Sequence, residues 1–360
     1  ASARIYLRDI FSLSIFSLMV FFTAFNAPFV ISTNSSNIMI TSFMIIIYAA
    51  LIYYFAALRV ERPKNLIIAL YYMSASLLII LAFLLFISEL NFIPGFNKWY
   101  FETQNLRLID NMTDADNLWE EQKARLLRDG EPGIDLFYGE HSFLAIVIFS
   151  ALCCYLSSRT MIFSFQYINH ESTLVKIAPY IGLIMLLYIQ SLSAIIYGII
   201  FTYYLFIKGN TSAIKIRTRI ILILFFGIIF SIYSYDYLLN RLTMADSISL
   251  IQRFGSLIIM EPIDYLIGIR DAIKLPEYGF HNGIIYTIAF SGIGGIIYII
   301  NLFFGVYIKS RNINLNFLFI LLMLAIFAQS GGIFSPNKIA ILAFSLLPLA
   351  CINKMYIDTK

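Results

Sequence analysis

The sequence predicts an all-α, polytopic integral membrane protein, and three observations lead there. Hydrophobic residues make up 60% of the 360 and charged residues only 13%, about half the charge of an ordinary globular domain. Uncharged apolar runs recur along the chain, and runs of about 20 residues suffice to carry a helix across a hydrocarbon core of about 30 Å. Lys and Arg gather in the short connections between these runs, as the positive-inside bias of membrane proteins requires.

Taken in order, the runs place spans near 10–30, 38–58, 66–87, 142–156, 220–239, 283–308, 315–329 and 339–352. The stretch from Ile177 to Ile207 is long for one helix and short for two. Basic residues lie at both of its ends, Arg159 and Lys176 before it and Lys208, Lys215, Arg217 and Arg219 after it, so the chain must enter and return on one side. This predicts two short helices, about 177–189 and 192–207, turning at Gln190 and Ser191 on the outer side. The result is about ten spans with both termini in the cytoplasm.

The charges agree with that orientation. Cytoplasmic segments, with clusters at Arg4/Arg8, Arg59/Arg62/Lys64, Lys309/Arg311 and Lys354/Lys360, hold 15 basic residues and four acidic ones. The outer loops are neutral to acidic: 88–140 has five basic and eleven acidic residues, and 240–282 has four and five. The net charge of +4 is therefore a sorting signal, and nucleic acid is not an expected partner. The organisation that follows is 1–87, spans one to three; 88–140, an outer loop with a short helix; 141–239, spans four to seven; 240–282, an outer loop carrying the candidate site; and 283–360, spans eight to ten and a cytoplasmic C-terminus. The N-terminal apolar run lacks a small-residue cleavage pattern and is read as a span. Cys153, Cys154 and Cys351 all fall in or near spans, where no disulfide is expected.

Both outer loops carry helix signals. In the first, Thr113 and Asp116 form a weak capping box and Gly130 a stop. In the second, Ser249, Gln252, Arg253 and Ser256 share one stripe opposite Leu250, Ile251, Phe254, Leu257 and Ile258, a pattern suited to the membrane interface, with Pro262 closing the helix.

On this topology polar groups converge at the outer mouth of the bundle. They are Glu140 and His141 before the fourth span, Gln190 and Ser191 at the tight turn, Arg253 on the interfacial helix, and His281 and Asn282 before the eighth span. The segment Gln329, Ser330 to Lys338 is a further member. Each has a plainer reading: polar residues mark helix ends, an interfacial Arg binds lipid phosphate, and turn residues satisfy freed backbone groups. His281 stands out because an imidazole exchanges its proton near neutral pH. Gly292, Gly294 and Gly295 in the following span point to close helix packing. No metal-ligand spacing and no phosphate-cradling Gly-rich loop is present, so no cofactor is expected.

The second-half loop, with "QRFGSLI" followed by "IGIRDAIKLPEYGFHNGIIYTIAFSGIGGI", resembles the Wzy-type O-antigen polymerases and their relatives the O-antigen ligases. In that pattern a loop Arg precedes an apolar helix, a Gly-containing segment follows, and a His-Asn pair opens a span with glycines beyond it. Arg253, Gly268, His281, Asn282, Gly292 and Gly295 stand at those positions. The chain departs from it at "GIR", where Gly-x-Gly is frequent, and at "QSLSA", where an Arg often flanks the serine; Arg270 or Arg241 would then take over that Arg's contact.

The resemblance implies a GT-C-like bundle in a bacterial inner membrane with its site facing the periplasm. It implies a metal-independent glycosyltransferase that joins undecaprenyl-diphosphate-linked repeat units, with membrane lipid and a chain-length regulator protein as further partners. Arg253 would hold diphosphate, and His281, with Glu140, would be the base that takes the acceptor's proton or an anchor for the acceptor; Asn282, Arg270, Arg241, Gln190, Ser191 and His141 would bind substrate. The alternatives are a ligase that moves the glycan to the lipopolysaccharide core and a lipid-linked oligosaccharide flippase. Mid-membrane charge would favour transport, and only Asp236, near one end of its span, approaches that description.

Overall fold

The computed structural model describes residues 36–58, 60, 63–89, 141–164, 166–167, 171–189, 192–208, 260–269, 282–328 and 336–352. Every regular element among them is helical: α1 (Ser36–Ala57), α2 (Pro63–Glu89), α3 (His141–Ser164), α4 (Thr173–Tyr188), α5 (Leu192–Thr202), which continues as a π-helical turn (Tyr203–Lys208), α6 (Pro262–Ile267), α7 (Gly283–Arg311), α8 (Asn316–Ala328) and α9 (Pro336–Ala350). Three of these, α2, α3 and α7, are long and apolar enough to cross a membrane, which gives the chain the character of an all-helical membrane protein. The spans expected near 10–30 and 220–239, and the loop helix expected after Thr113, lie outside the described residues.

The chain divides into two compact units, one made of Ala1–Ile68, Leu156–Tyr167 and Leu239–Lys360, the other of Ala69–Tyr155 and Ile168–Leu238. In the first, several helix ends meet. The Val60 N–H donates to the Ala350 carbonyl at 3.2 Å, and the Lys64 ammonium lies 5.5 Å from the centre of the Tyr167 ring. Lys309, buried near the end of α7, donates to the carbonyl of Ala56 and, at 3.4 Å, to that of Leu58. Carbonyls in the last turn of a helix lack intrahelical partners and attract cations, so this lysine closes the end of α1 from a neighbouring helix. Tyr298 adds a bond at mid-helix, donating to the Ala49 carbonyl at 2.8 Å. The ends of α1, α7 and α9 thus share one end of the unit with the start of α2.

The second unit packs around α3. A Cβ on Gly182 would lie 2.8 Å from Leu152 Cδ2 and 3.0 Å from Leu78 Cδ2, so α4 approaches α3 and α2 closely. Phe149 stacks on Tyr197 with ring centres 4.5 Å apart. The paired short helices expected within 177–207 are present as α4 and α5. A Cβ on Gly198 would be 3.9 Å from Leu183 and Leu186, residues about as far before Gln190 and Ser191 as Gly198 is after them, so the two helices lie antiparallel. At the entry to α4 the buried Tyr155 hydroxyl donates to the Val175 carbonyl at 3.0 Å and lies 3.4 Å from both Glu171 Oε1 and the Tyr71 hydroxyl. Partial burial pushes the Glu171 carboxyl above its usual range, against the downward pull of Lys176.

Pro262 opens a helix, α6, since a proline has no N–H to lose at the first helical position and its fixed φ suits it; the interfacial helix that it is expected to close lies outside the described residues. One expectation needs correction in the first unit. The span expected over 283–308 is not one continuous helix. Gly292 adopts φ 54, ψ −135 inside α7, and a Cβ on Gly295 would lie 2.5 Å from the carbonyl oxygen of Thr287. Residues eight apart in a straight helix are separated by about 12 Å, so the chain folds back at Gly292 into a short arm, 283–291, and a long arm, 293–311. The long arm alone, at about 1.5 Å per residue, reaches nearly 30 Å, the thickness of a hydrocarbon core.

Candidate functional site at the broken helix

The break in α7 is built by residues of the motif that the sequence singles out. Asn282 is extended and caps the short arm: its Oδ1 accepts from the Ile284 N–H at 2.9 Å and the Ile285 N–H at 3.3 Å. Two donors that the first helical turn would leave open are thereby satisfied. The side chain is only 2% exposed, so its capping oxygen is enclosed with the backbone it serves. Thr287, fully buried, donates back to the Gly283 carbonyl at 2.7 Å, and its own backbone meets Gly295 on the long arm.

The segment Met260–Ile269 lies across the fold-back. Glu261 is extended, Pro262 begins α6, and the Asp264 carboxylate reaches back to accept from the Glu261 N–H at 2.9 Å. Gly268, at φ 86, ends α6 with its N–H on the Asp264 carbonyl at 2.8 Å. The chain then extends, and the Ile269 N–H donates to the Ala289 carbonyl at 2.7 Å. In a continuous helix that carbonyl would take the N–H of Ile293; the break frees it and the loop satisfies it. Irregular backbone at membrane depth is tolerated where protein supplies such partners. Close approach is what makes this possible: a Cβ on Gly292 would stand 2.6 Å from the Leu266 carbonyl carbon and 2.7 Å from the Gly268 nitrogen. Met260, Ile269, Ile285 and Ala289 form the small apolar core under the crossing.

Of the site residues expected from sequence, the described structure contains Asn282 and the backbone of His141, which begins α3. Glu140, Gln190, Ser191, Arg241, Arg253, Arg270 and His281 lie outside the described residues. Their neighbours are informative in two places. Arg270 follows Ile269, which is bonded to the short arm at Ala289, and His281 precedes Asn282, which caps the same arm. Ile269 and Asn282 thus meet one nine-residue arm at points seven residues apart, about 10 Å along a helix. Asp264, 4% exposed beside the crossing, was not anticipated. Its signal was legible in "EPID", an acid three residues after a residue that precedes proline. Lys338, in the first turn of α9, is buried. Among the described residues no three His, Cys, Asp or Glu side chains come together.

No protein-family model matches the chain, and no curated protein or solved structure matches it. What the fold and the crossing define is a class, a helical membrane protein with a glycine-broken helix clamped by a loop.

Proposed function

We propose that the protein is an O-antigen polymerase, a glycosyltransferase that joins polyprenyl-diphosphate-linked repeat units at the outer face of a bacterial inner membrane. The observation that supports the reading is the common arm: Ile269 of "GIR" and Asn282 of "HNG", thirteen positions apart in sequence, both bond to 283–291. A motif whose distant parts bond to one element has the organisation a site needs.

The chemistry follows from the donor. A hydroxyl of the acceptor glycan forms the new bond to the anomeric carbon of the donor while the bond from that carbon to the diphosphate oxygen breaks, and the lipid diphosphate leaves. The transition state gathers negative charge on the diphosphate and releases one proton from the acceptor. His281 takes that proton as general base. Arg253, with Arg270 or Arg241, meets the diphosphate, for which a guanidinium fork suits two oxygens at once. The buried Asn282 side chain, next in sequence to His281, caps the start of the short arm.

Deletion of the gene and display of surface glycans on a gel tests this reading. Loss of the ladder with one repeat unit left on the core supports the polymerase. Loss of every repeat from the core makes the protein a ligase, and an unchanged ladder removes both.

A further inference from the structure

A groove of about 650 Å³ runs along the hairpin formed by the long arm of α7 and α8 in the first unit, and its lining is almost wholly apolar. On the long arm of α7 it is edged by Ile300, Phe304 and Tyr307 and on α8 by Phe317, Ile320 and Leu324, and Ile284 of the short arm lines it as well. Ile300, Phe304 and Phe317 are 63%, 59% and 57% exposed. A concave apolar strip of this kind would be a liability in water and is ordinary only where hydrocarbon fills it.

Its polarity is not uniform along its length. Residues 300, 304, 307 and 311 follow helical spacing, so Arg311 continues the stripe one turn beyond Tyr307. Arg311 is exposed, and Asn316 lines the groove at the same end. Lys309, the other cation of that turn, is already committed to the carbonyls of Ala56 and Leu58. From Ile300 to Arg311 the helix rises about 16 Å, close to half of a hydrocarbon core of about 30 Å. The stripe that edges the groove, continued one turn past its last lining residue on α7, Tyr307, thus ends at a cation about one leaflet from Ile300.

We infer that this groove binds an anionic phospholipid, one acyl chain lying between the long arm of α7 and α8 and the phosphate meeting Arg311. The inference does not depend on the polymerase reading, because Arg311 lies at the end of the unit that carries the basic connections, opposite to the outer leaflet where a lipid-linked donor would react.

The test uses the full chain in neutral detergent, with phosphatidylglycerol or phosphatidylethanolamine added and retained lipid read by native mass spectrometry. The expected result is one phosphatidylglycerol per chain surviving activation that strips phosphatidylethanolamine. Arg311→Gln should lower that population about fivefold, the effect of one basic residue at a lipid surface, and Arg311→Lys should keep most of it. Ile300→Trp, which fills the groove, should lower it too; should that variant fail to fold, Arg311→Gln decides alone. Equal retention of both lipids, or retention unchanged in Arg311→Gln, overturns the proposal. So does a dimer of the chain that Ile300→Trp dissociates without any loss of lipid.

Discussion

Replacing Gly292 by alanine attacks the break in α7 at its narrowest point. Two costs add. The backbone at φ 54, ψ −135 belongs to a region open almost only to glycine, and holding another residue there costs on the order of 1–3 kcal/mol. The added methyl would also stand 2.6 Å from the Leu266 carbonyl carbon and 2.7 Å from the Gly268 nitrogen. Both are backbone atoms of the crossing segment, so relief requires moving the chain, and overpacking of that kind costs about 1–3 kcal/mol more. The expected loss is therefore about 2–6 kcal/mol, from the sum of those two ranges, a large part of the total for a marginally stable fold. Gly198→Ala is the control, because its methyl would find Leu183 and Leu186 at an ordinary 3.9 Å and a helical Gly→Ala change gains roughly 0.5–1 kcal/mol. Melting of the purified protein in detergent, followed by intrinsic fluorescence and by monodisperse elution after heating, measures both. If Gly292→Ala melts with wild type, α7 is a continuous helix and the crossing described above does not exist.

Asn282→Ala should cost about 0.5–2 kcal/mol through loss of the cap, read by the same melting assay, and Asn282→Asp or Asn282→Ser should restore most of it. Glu171 supplies a pH dependence. Its folded-state pKa is raised by burial, so the native state holds the proton more tightly than the unfolded chain; the contribution favours folding at low pH and declines as pH rises from the ordinary carboxylate range through the raised value. Glu171→Gln should flatten that part of the melting-temperature profile. Cysteines introduced at Asp116 and Lys274 should both label with an impermeant thiol reagent in intact spheroplasts, while cysteines placed between Lys208 and Arg219 should not; labelling of the latter reverses the orientation.

The helices that the sequence made legible are those whose signal is local. Apolar length placed α1, α2, α8 and α9 within a few residues, and the charges flanking 177–207 resolved α4 and α5 where hydropathy alone could not, because loop charge reports direction as well as position. The fold-back of α7 was hidden for a physical reason. From Gly283 to Ile308 it carries no charge and is predominantly apolar, and apolar character is the same in a straight helix and a doubled one. The glycines announced close approach but not which backbone would approach; Leu266 and Gly268 are more than twenty residues away in sequence. Asp264 was passed over because a loop acid looks solvated until the helix it caps is seen packed on its neighbour. The Arg253 and His281 assignments rest on spacing and resemblance, and what the structure adds is local: the residue after His281 is buried and capping, and the residue before Arg270 is bonded to the same arm.

The central claim of the proposed function is that His281 takes the proton of a lipid-linked acceptor. The most direct measurement is glycan extension by the purified protein, supplied with undecaprenyl-diphosphate-linked repeat units and no added metal, comparing wild type with His281→Gln. The account predicts polymer and free undecaprenyl diphosphate from wild type, and a rate lower by about 10²–10⁴ in the variant, which keeps hydrogen-bonding capacity but loses basicity, with melting unchanged. Extension by His281→Gln at the wild-type rate would contradict it and leave the histidine as a polar boundary of the short arm.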